Sequence, residues 1–245
     1  MNYDEWELWY ERILDDFKFS KIYDEDSASL LNQILNDEGF ITIEDLKHEV
    51  VDFKNTDKFI VFGAGPSIKQ HIINIRENYN LDDYILVVAD GATTALLEER
   101  IVPDIIVTDL DGNMDDILAS NYRNSYIVVH AHGNNKHLIA EYTSFLDNVL
   151  GTTQSKPEGC LYNFGGFTDG DRAIFLSIDL GAKSIILAGM DFGDIVTKYS
   201  RPKNQLDLMD ADDIKKRKLK YAEELCNWIK DNVDVELINL CDKSL

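Results

Sequence analysis

The stretch KFIVFGAGPSIKQHIINIRENY (58–79) decides the fold. The apolar run Phe59–Phe62 leads straight into Gly63-Ala64-Gly65-Pro66-Ser67, and from Ile68 to Tyr79 apolar residues recur three and four apart. An unbroken run of β-branched and aromatic residues marks a strand covered on both faces, the condition of a parallel sheet. The glycines allow a sharp turn, and the 3.6-residue period beyond them marks a helix. Strand, glycine turn and helix together make the first half of a βαβ crossover.

The same texture continues toward the C-terminus. Further apolar runs occupy Tyr84–Ala89, Ile105–Val107, Tyr126–Val129, Asn148–Leu150, Ser184–Ala188 and Val235–Leu240. Helical patterns fill most gaps, as at Ala92–Arg100 and Asn135–Asp147, and a charged helix spans Ile214–Asn232. The polar, proline-containing stretch Ser200–Asp213 reads as a mobile loop. Strand–helix alternation predicts an α/β class, with a Rossmann-like, mostly parallel sheet and flanking helices over residues 56–245. Residues 1–55 read as a small helical segment preceding it. Trp6, Trp9, Ile13 and Phe17 recur at helical spacing, Ser27 is a candidate cap for a second helix, and Thr42 with Asp45 forms a capping box opening a third, Ile43–Phe53.

Composition bounds the function. Over 245 residues, 44% are hydrophobic and 28% charged, which supports a well-packed core. A net charge of −21, from 45 acidic and 24 basic residues, repels nucleic acid and anionic membrane. It still permits a phosphate ligand where backbone N–H groups, a few cations and a divalent metal reverse the local field. Cys160, Cys226 and Cys241 are scattered and form no metal-binding pair. Without a signal-like start or an apolar run of membrane length, the chain reads as a soluble cytoplasmic protein. A homo-oligomer is compatible with the sequence.

In a doubly wound sheet, ligands sit beyond the carboxyl ends of the strands, where the chemically loaded residues of this sequence fall. Gly63 and Gly65 bring backbone close to a ligand, and Ser67 caps the next helix, whose N-terminus suits phosphate; the same residues also make a plain tight turn. Asp90 follows the second strand and suits a ribose hydroxyl, a metal or a helix cap. Asp109-Leu110-Asp111-Gly112 ends the third strand. Two acids in one cleft repel without a cation, and Mg²⁺ takes carboxylate, phosphate and water oxygens, so Asp109 and Asp111 are read as its ligands over a solvated turn.

Three more blocks follow. His130-Ala131-His132-Gly133-Asn134-Asn135 reads as polar contacts or a structured turn rather than a zinc site. In Asn163–Arg172, Phe164 or Phe167 can stack on a flat ring, Thr168 lies beside them, and Asp169 or Asp171 can bind ring nitrogens or metal. Arg172 is expected to pair with an acid. Asp191, Lys198 and Arg201 lie on a last loop that could close over phosphates or remain solvated.

The stretches FGAGPSIK (62–69), ADGA (89–92), PDIIVTDLDG (103–112), VVHAHGNN (128–135), NFGGFTDGDRA (163–173) and GMDFG…TKYSRP (189–202) resemble, in order and over most of the chain, the archaeal 6-hydroxymethyl-7,8-dihydropterin pyrophosphokinases. That family is distantly similar to thiamine pyrophosphokinases. The resemblance implies Mg²⁺-dependent transfer of the β,γ-pyrophosphoryl group of ATP to a reduced pterin, with AMP as coproduct, in methanopterin or folate-type cofactor synthesis. It implies phosphate contacts at Lys198 and Arg201, the pterin at Phe164–Asp171, and His132 or an Asp as proton acceptor. Asn135 fits the family pattern; Asn134 stands where the pattern carries Asp.

Other functions remain to be discriminated. A thiamine acceptor is separated by comparing acceptor kinetics. A dinucleotide oxidoreductase leaves Asp109 and Asp111 unexplained. A sugar-nucleotide glycosyltransferase is a further class. A non-catalytic nucleotide-binding module would hold ATP without releasing AMP.

Overall fold

Phe59 and Val61 point into one apolar layer, and Ile60 and Phe62 into the other. The strand they form, β1 (Lys58–Phe62), is thus covered on both faces, as its unbroken apolar run requires. The structure, a computed structural model, describes residues 1–201 and 206–242. Before β1 come α1 (Tyr3–Phe17), α2 (Lys21–Glu38) and α3 (Ile43–Leu46), the last continuing as a π-helical stretch over Lys47–Asp52. After it come α4 (Ile68–Asn78), β2 (Ile85–Ala89), α5 (Ala92–Glu98), β3 (Ile105–Thr108), α6 (Met114–Asn121), β4 (Tyr126–Ala131) and α7 (Lys136–Tyr142). The chain ends through β5 (Val149–Thr153), β6 (Leu161–Tyr162), α8 (Asp169–Asp179), β7 (Ser184–Ala188), β8 (Ile195–Thr197), β9 (Leu208–Asp210), α9 (Asp213–Asn232) and β10 (Glu236–Asn239).

Among the described residues, eight strands form one parallel sheet in the order β10-β7-β1-β2-β3-β4-β5-β6. The chain steps outward from β1 to β6, then returns to the other side of β1 with β7. The switch point of the topology therefore lies between β1 and β7. Register brings the functional ends level: Phe62 pairs with Val88 and Ala188, Ala89 with Val107, and Thr108 with Val129. Asp90, Asp109 and the 130–135 turn leave the sheet along one edge.

The N-terminal helices belong to both layers. Leu31 and Leu35 of α2 join the core of α4, α5, α6 and α7; Trp6, Tyr10 and Ile13 of α1 join that of α8 and α9. The Thr42–Asp45 capping box forms as expected. Ser27 is not a cap: α2 starts about two turns earlier, after Ser20, and Ser27 is buried inside it. Tertiary contacts extend the helix, because its buried Asp24 accepts bonds from Tyr10 Oη (2.6 Å) and Gly133 N–H (2.6 Å). Nor is all of Ser200–Asp213 loop, since Leu208–Asp210 pairs antiparallel with Ile195–Thr197. Thr197 Oγ1 then anchors this hairpin to the Ala64 carbonyl (2.6 Å). Residues 202–205 of that stretch, and with them the end of the sixth motif, lie outside the described residues.

Candidate active site

A cleft of about 650 Å³ opens along the carboxyl edge of β7, β1, β2, β3 and β4, under the start of α9. Its floor is acidic. Asp90 leaves β2 with φ 26°, a conformation rare outside glycine, and accepts a bond from Thr108 Oγ1 (2.5 Å). Leu110, at φ 69°, turns its side chain into the core, so Asp109 and Asp111 on either side of it come to the cleft. Gly112 is required here: a Cβ would lie 2.4 Å from Asp90 Oδ2. Asp169, the first residue of α8, approaches from above, and oxygens of Asp90, Asp109 and Asp169 lie within 4.8 Å of one another.

The charges in this cluster respond to the crowding. Burial, then the neighbouring Asp109, push Asp169 up to about 7 and Asp111 up to about 6. The same two causes hold Asp90 well above the usual carboxylate range. Asp109 goes the other way: burial opposes its ionisation, but the His132 hydrogen bond and charge hold it well below that range. It is the fixed charge around which the other three are partly protonated.

The 130–135 turn is built to hold Asp109. His132 Nδ1 accepts the Asn134 N–H (3.3 Å), which leaves Nε2 to donate to Asp109 Oδ2 (2.9 Å). Asn135, buried, donates to the carbonyls of Asp109 (2.8 Å) and His130 (2.7 Å) and accepts the His132 N–H (3.0 Å). Asp24 of α2 clamps the next residue through Gly133 N–H.

Cations face the acids from α8 and α9. Arg172 Nη1 donates to Asp169 (3.1 Å) and Nη2 to Gln154 (3.3 Å), while its buried Nε has no partner among the described residues. Lys218 stands over the rings of Phe167 (5.5 Å) and Phe19 (5.8 Å), and burial followed by the Arg172 charge lowers its pKa. Lys215, one turn earlier on α9, also lines the cleft.

At the switch point the glycine turn is already engaged. The N–H groups of Gly63 and Gly65 donate to the carbonyls of Ala188 (2.8 Å) and Gly189 (2.9 Å) of the β7 end. A Cβ on Gly65 would fall 2.1 Å from Asp191 Oδ2 and 2.6 Å from the Gly189 carbonyl. Ser67 does not cap α4 with its side chain; its Oγ donates to Asp191 Oδ2 (2.9 Å), and its N–H lies 3.3 Å from both carboxylate oxygens. A carboxylate of the chain itself therefore occupies the helix N-terminus where a phosphate is expected.

The family model described as "6-hydroxymethylpterin diphosphokinase MptE-like" matches residues 32–197. The chain is 53% identical over 233 residues to the 6-hydroxymethyl-7,8-dihydropterin pyrophosphokinase of Methanothermobacter thermautotrophicus, covering 95% of this chain and 97% of that protein. The chain belongs to this family. Proteins of the same name from Methanocaldococcus jannaschii and Pyrococcus furiosus are 45% and 42% identical, each over 97% of this chain and 100% and 98% of their own lengths.

Within this family member the expected site residues divide. Gly63, Gly65, Asp90, Asp109, Asp111, His132, Thr168, Asp169, Asp191 and Arg201 line one cleft. Asp171 is turned away: wholly buried, it accepts from the N–H groups of Phe167 (2.6 Å) and Thr168 (2.8 Å) and closes a capping box with Thr168. Phe167 reaches the cleft but is only 3% exposed, packed on Phe17 and Tyr221. Lys198 pairs with Asp207 (3.0 Å), and Arg201 with Asp212 (2.5 Å) at the rim. Sequence reasoning missed Lys215, Lys218 and Asp24. The three-residue spacing of the two lysines was the available signal, hidden among the other charges that open the helix.

Proposed function

We propose that this chain transfers pyrophosphate from Mg²⁺-bound ATP to the hydroxymethyl group of 6-hydroxymethyl-7,8-dihydropterin, giving the pterin diphosphate and AMP. The observation that carries this is the convergence of Asp90, Asp109, Asp111 and Asp169 in one cleft of a chain whose relatives bear the name of that activity. The donor set fits the metal: hard carboxylate oxygens, crowded enough to be driven toward protonation, are what a divalent cation relieves. When bound, the cation supplies neutralisation of phosphate charge near the attacked phosphorus.

The residues do the positioning. His132 and Asn135 fix Asp109; Arg172 fixes Asp169. Lys215 and Lys218 offer charge to the phosphates, with Phe19 and Phe167 keeping water from Lys218. In the transfer, the hydroxymethyl oxygen bonds to the β-phosphorus. The bond from that phosphorus to the oxygen bridging the α-phosphate breaks, and its electron pair leaves with AMP. Of the acceptors for the hydroxyl proton, His132 has both nitrogens engaged, Nε2 with Asp109 and Nδ1 with the Asn134 N–H, which favours a carboxylate of the cleft. Among the described residues no helix is long and apolar enough to cross a membrane, and we assign the reaction to the cytoplasm, as a step of methanopterin or folate-type synthesis.

Incubation with Mg-ATP and the reduced pterin, followed by product separation, tests the proposal. AMP and a pterin diphosphate are expected. ADP with a pterin monophosphate would make the chain an ordinary kinase, and ATP held without any turnover would make it a binding module.

A further inference from the structure

We propose that the crevice between β1 and β7 holds the amino-oxo edge of the pterin on the Asp191 carboxylate, with ATP lying from β2 toward β4; this rests on the transfer proposed above. The usual expectation for a switch point is a nucleotide phosphate at the glycine turn. Here that seat is closed. Gly63 and Gly65 donate to β7, and Asp191 sits on the N–H and hydroxyl of Ser67. A triphosphate placed there would meet a carboxylate at contact distance and find the N–H groups of Gly63, Gly65 and Ser67 engaged.

The crevice suits a different ligand. Gly63, Gly65, Gly189 and Gly193 leave its walls low, and Phe192 adds an aromatic side chain beside them. Phe192 holds φ 54°, a left-handed conformation that a bulky residue adopts at a cost, and such outliers concentrate at ligand sites. Flat rings pack in slots of this kind. Asp191 Oδ1 takes a long bond, 3.3 Å, from the Ser67 N–H, and the carboxylate is otherwise met by the Ser67 hydroxyl and the Cys241 thiol, so with several lone pairs it retains capacity to accept. A 2-amino-4-oxo pyrimidine ring presents a ring N–H beside an exocyclic NH₂, two adjacent donors for one carboxylate. The corresponding edge of adenine presents an amino donor beside a ring acceptor, which a carboxylate repels. The charge at this end therefore selects the pterin over the nucleotide base.

The other end carries the complementary charge. Lys218 and Arg172 stand close enough to His130 of β4 to lower its pKa further, after its burial, and both act on Asp109 or Asp169. The carboxylate cluster at β2 and β3 lies between the two ends in the strand order, where the acceptor hydroxyl and the β-phosphorus must meet.

The test compares Michaelis constants of wild type, Asp191→Asn and Asp191→Ala for both substrates, and of wild type for the acceptor lacking its 2-amino group. Loss of a charge-assisted pair predicts a rise of about ten- to a hundredfold in KM for the pterin, with KM for ATP changed less than about twofold. The 2-deamino acceptor should suffer a similar loss on wild type and little further loss on Asp191→Ala. If the variants do not fold, the analogue comparison on wild type still decides, since equal use of both acceptors would overturn the assignment. A rise in KM for ATP instead of the pterin would overturn it as well. Direct titration of the pterin without ATP separates the two proposals: pterin binding lost in Asp191→Asn supports this crevice even if no diphosphate forms, and unchanged binding removes it even if the transfer is confirmed.

Discussion

After β1 the chain turns through Gly63–Ser67 with its N–H groups bonded to β7 and its helix N-terminus covered by Asp191. After β3 it turns through Asp109–Gly112 into a group of carboxylates whose mutual repulsion only Arg172, His132 and nearby lysines offset. The first turn meets a phosphate with a carboxylate where free donors are expected. The second gathers an excess of negative charge in a low-dielectric cleft, where the cation proposed above would relieve it. A glycine motif is therefore a poor guide to a phosphate site until its donors are accounted for, whereas clustered acids that resist ionisation are the better place to test for a cation.

The contrast can be broken in four ways. The largest effect is expected at Asp109, where Asp109→Asn should lower kcat by about a hundred- to a thousandfold, as loss of transition-state charge stabilisation does. Its melting temperature should fall only modestly, because the His132 bond loses its charge assistance while the neighbouring acids are relieved. Steady-state rates measured beside thermal melting check this, and near-normal kcat would contradict it.

The next effect is on stability. Asp169 rises to about 7 and Asp111 to about 6 in the fold, against an unfolded value near 3.9. Groups raised in this way destabilise the folded state as pH climbs from about 4 through about 7. Asp109, shifted down, exerts its pH dependence below about 4, outside that window. Metal-free protein should thus lose up to about 7 kcal/mol between pH 4 and 7, at about 1.4 kcal/mol for each unit the two groups rise, a loss that Mg²⁺ reverses. Urea unfolding across that range, with and without Mg²⁺, measures it, and parallel curves would count against a cation site.

Gly65→Ala sharpens the other half of the comparison. Its Cβ would press on Asp191 and on the Gly189 carbonyl, for about 1–3 kcal/mol of lost stability. Gly193→Ala, where the nearest atom is 4.0 Å away, should stay within about 0.5 kcal/mol. Equal melting temperatures would mean the turn is not tightly packed. The smallest effect is expected at Lys198. It is paired with Asp207, so Lys198→Met should alter KM for ATP less than about threefold, the energy of an exposed ion pair. A tenfold rise would restore its role as a phosphate ligand.

The sheet was legible because strands buried on both faces write themselves as unbroken apolar runs, and the place of Asp109 and Asp111 in the cleft because acids directly after such a run fall at the edge where the sheet presents ligands. The Thr42–Asp45 box was legible because capping is local. The gathering of Asp90 and Asp169 around Asp109 was not, since it depends on the order of strands and on α8 descending onto the sheet, which no local pattern encodes. Lys215 and Lys218 were hidden because a helix charged on several faces looks solvated throughout. Asp171 was misplaced among the ligand contacts because a capping acid and a ligand-binding acid have the same sequence signature at a helix start. The β9 strand was missed because three residues, Leu208–Asp210, are too short to show alternation.

The central claim, that Asp90, Asp109 and Asp169 form one divalent-cation site beside Asp111, is tested most directly by titrating Mn²⁺ as a Mg²⁺ surrogate without ATP. Free Mn²⁺ would be followed by its paramagnetic resonance signal, in wild type and in the Asp90→Asn/Asp169→Asn double variant at pH 7. Wild type should remove Mn²⁺ from solution at one equivalent, and the double variant should bind at least about tenfold more weakly while melting no lower, a loss of about 1.4 kcal/mol or more in binding. Equal Mn²⁺ affinity in the two proteins would contradict the account.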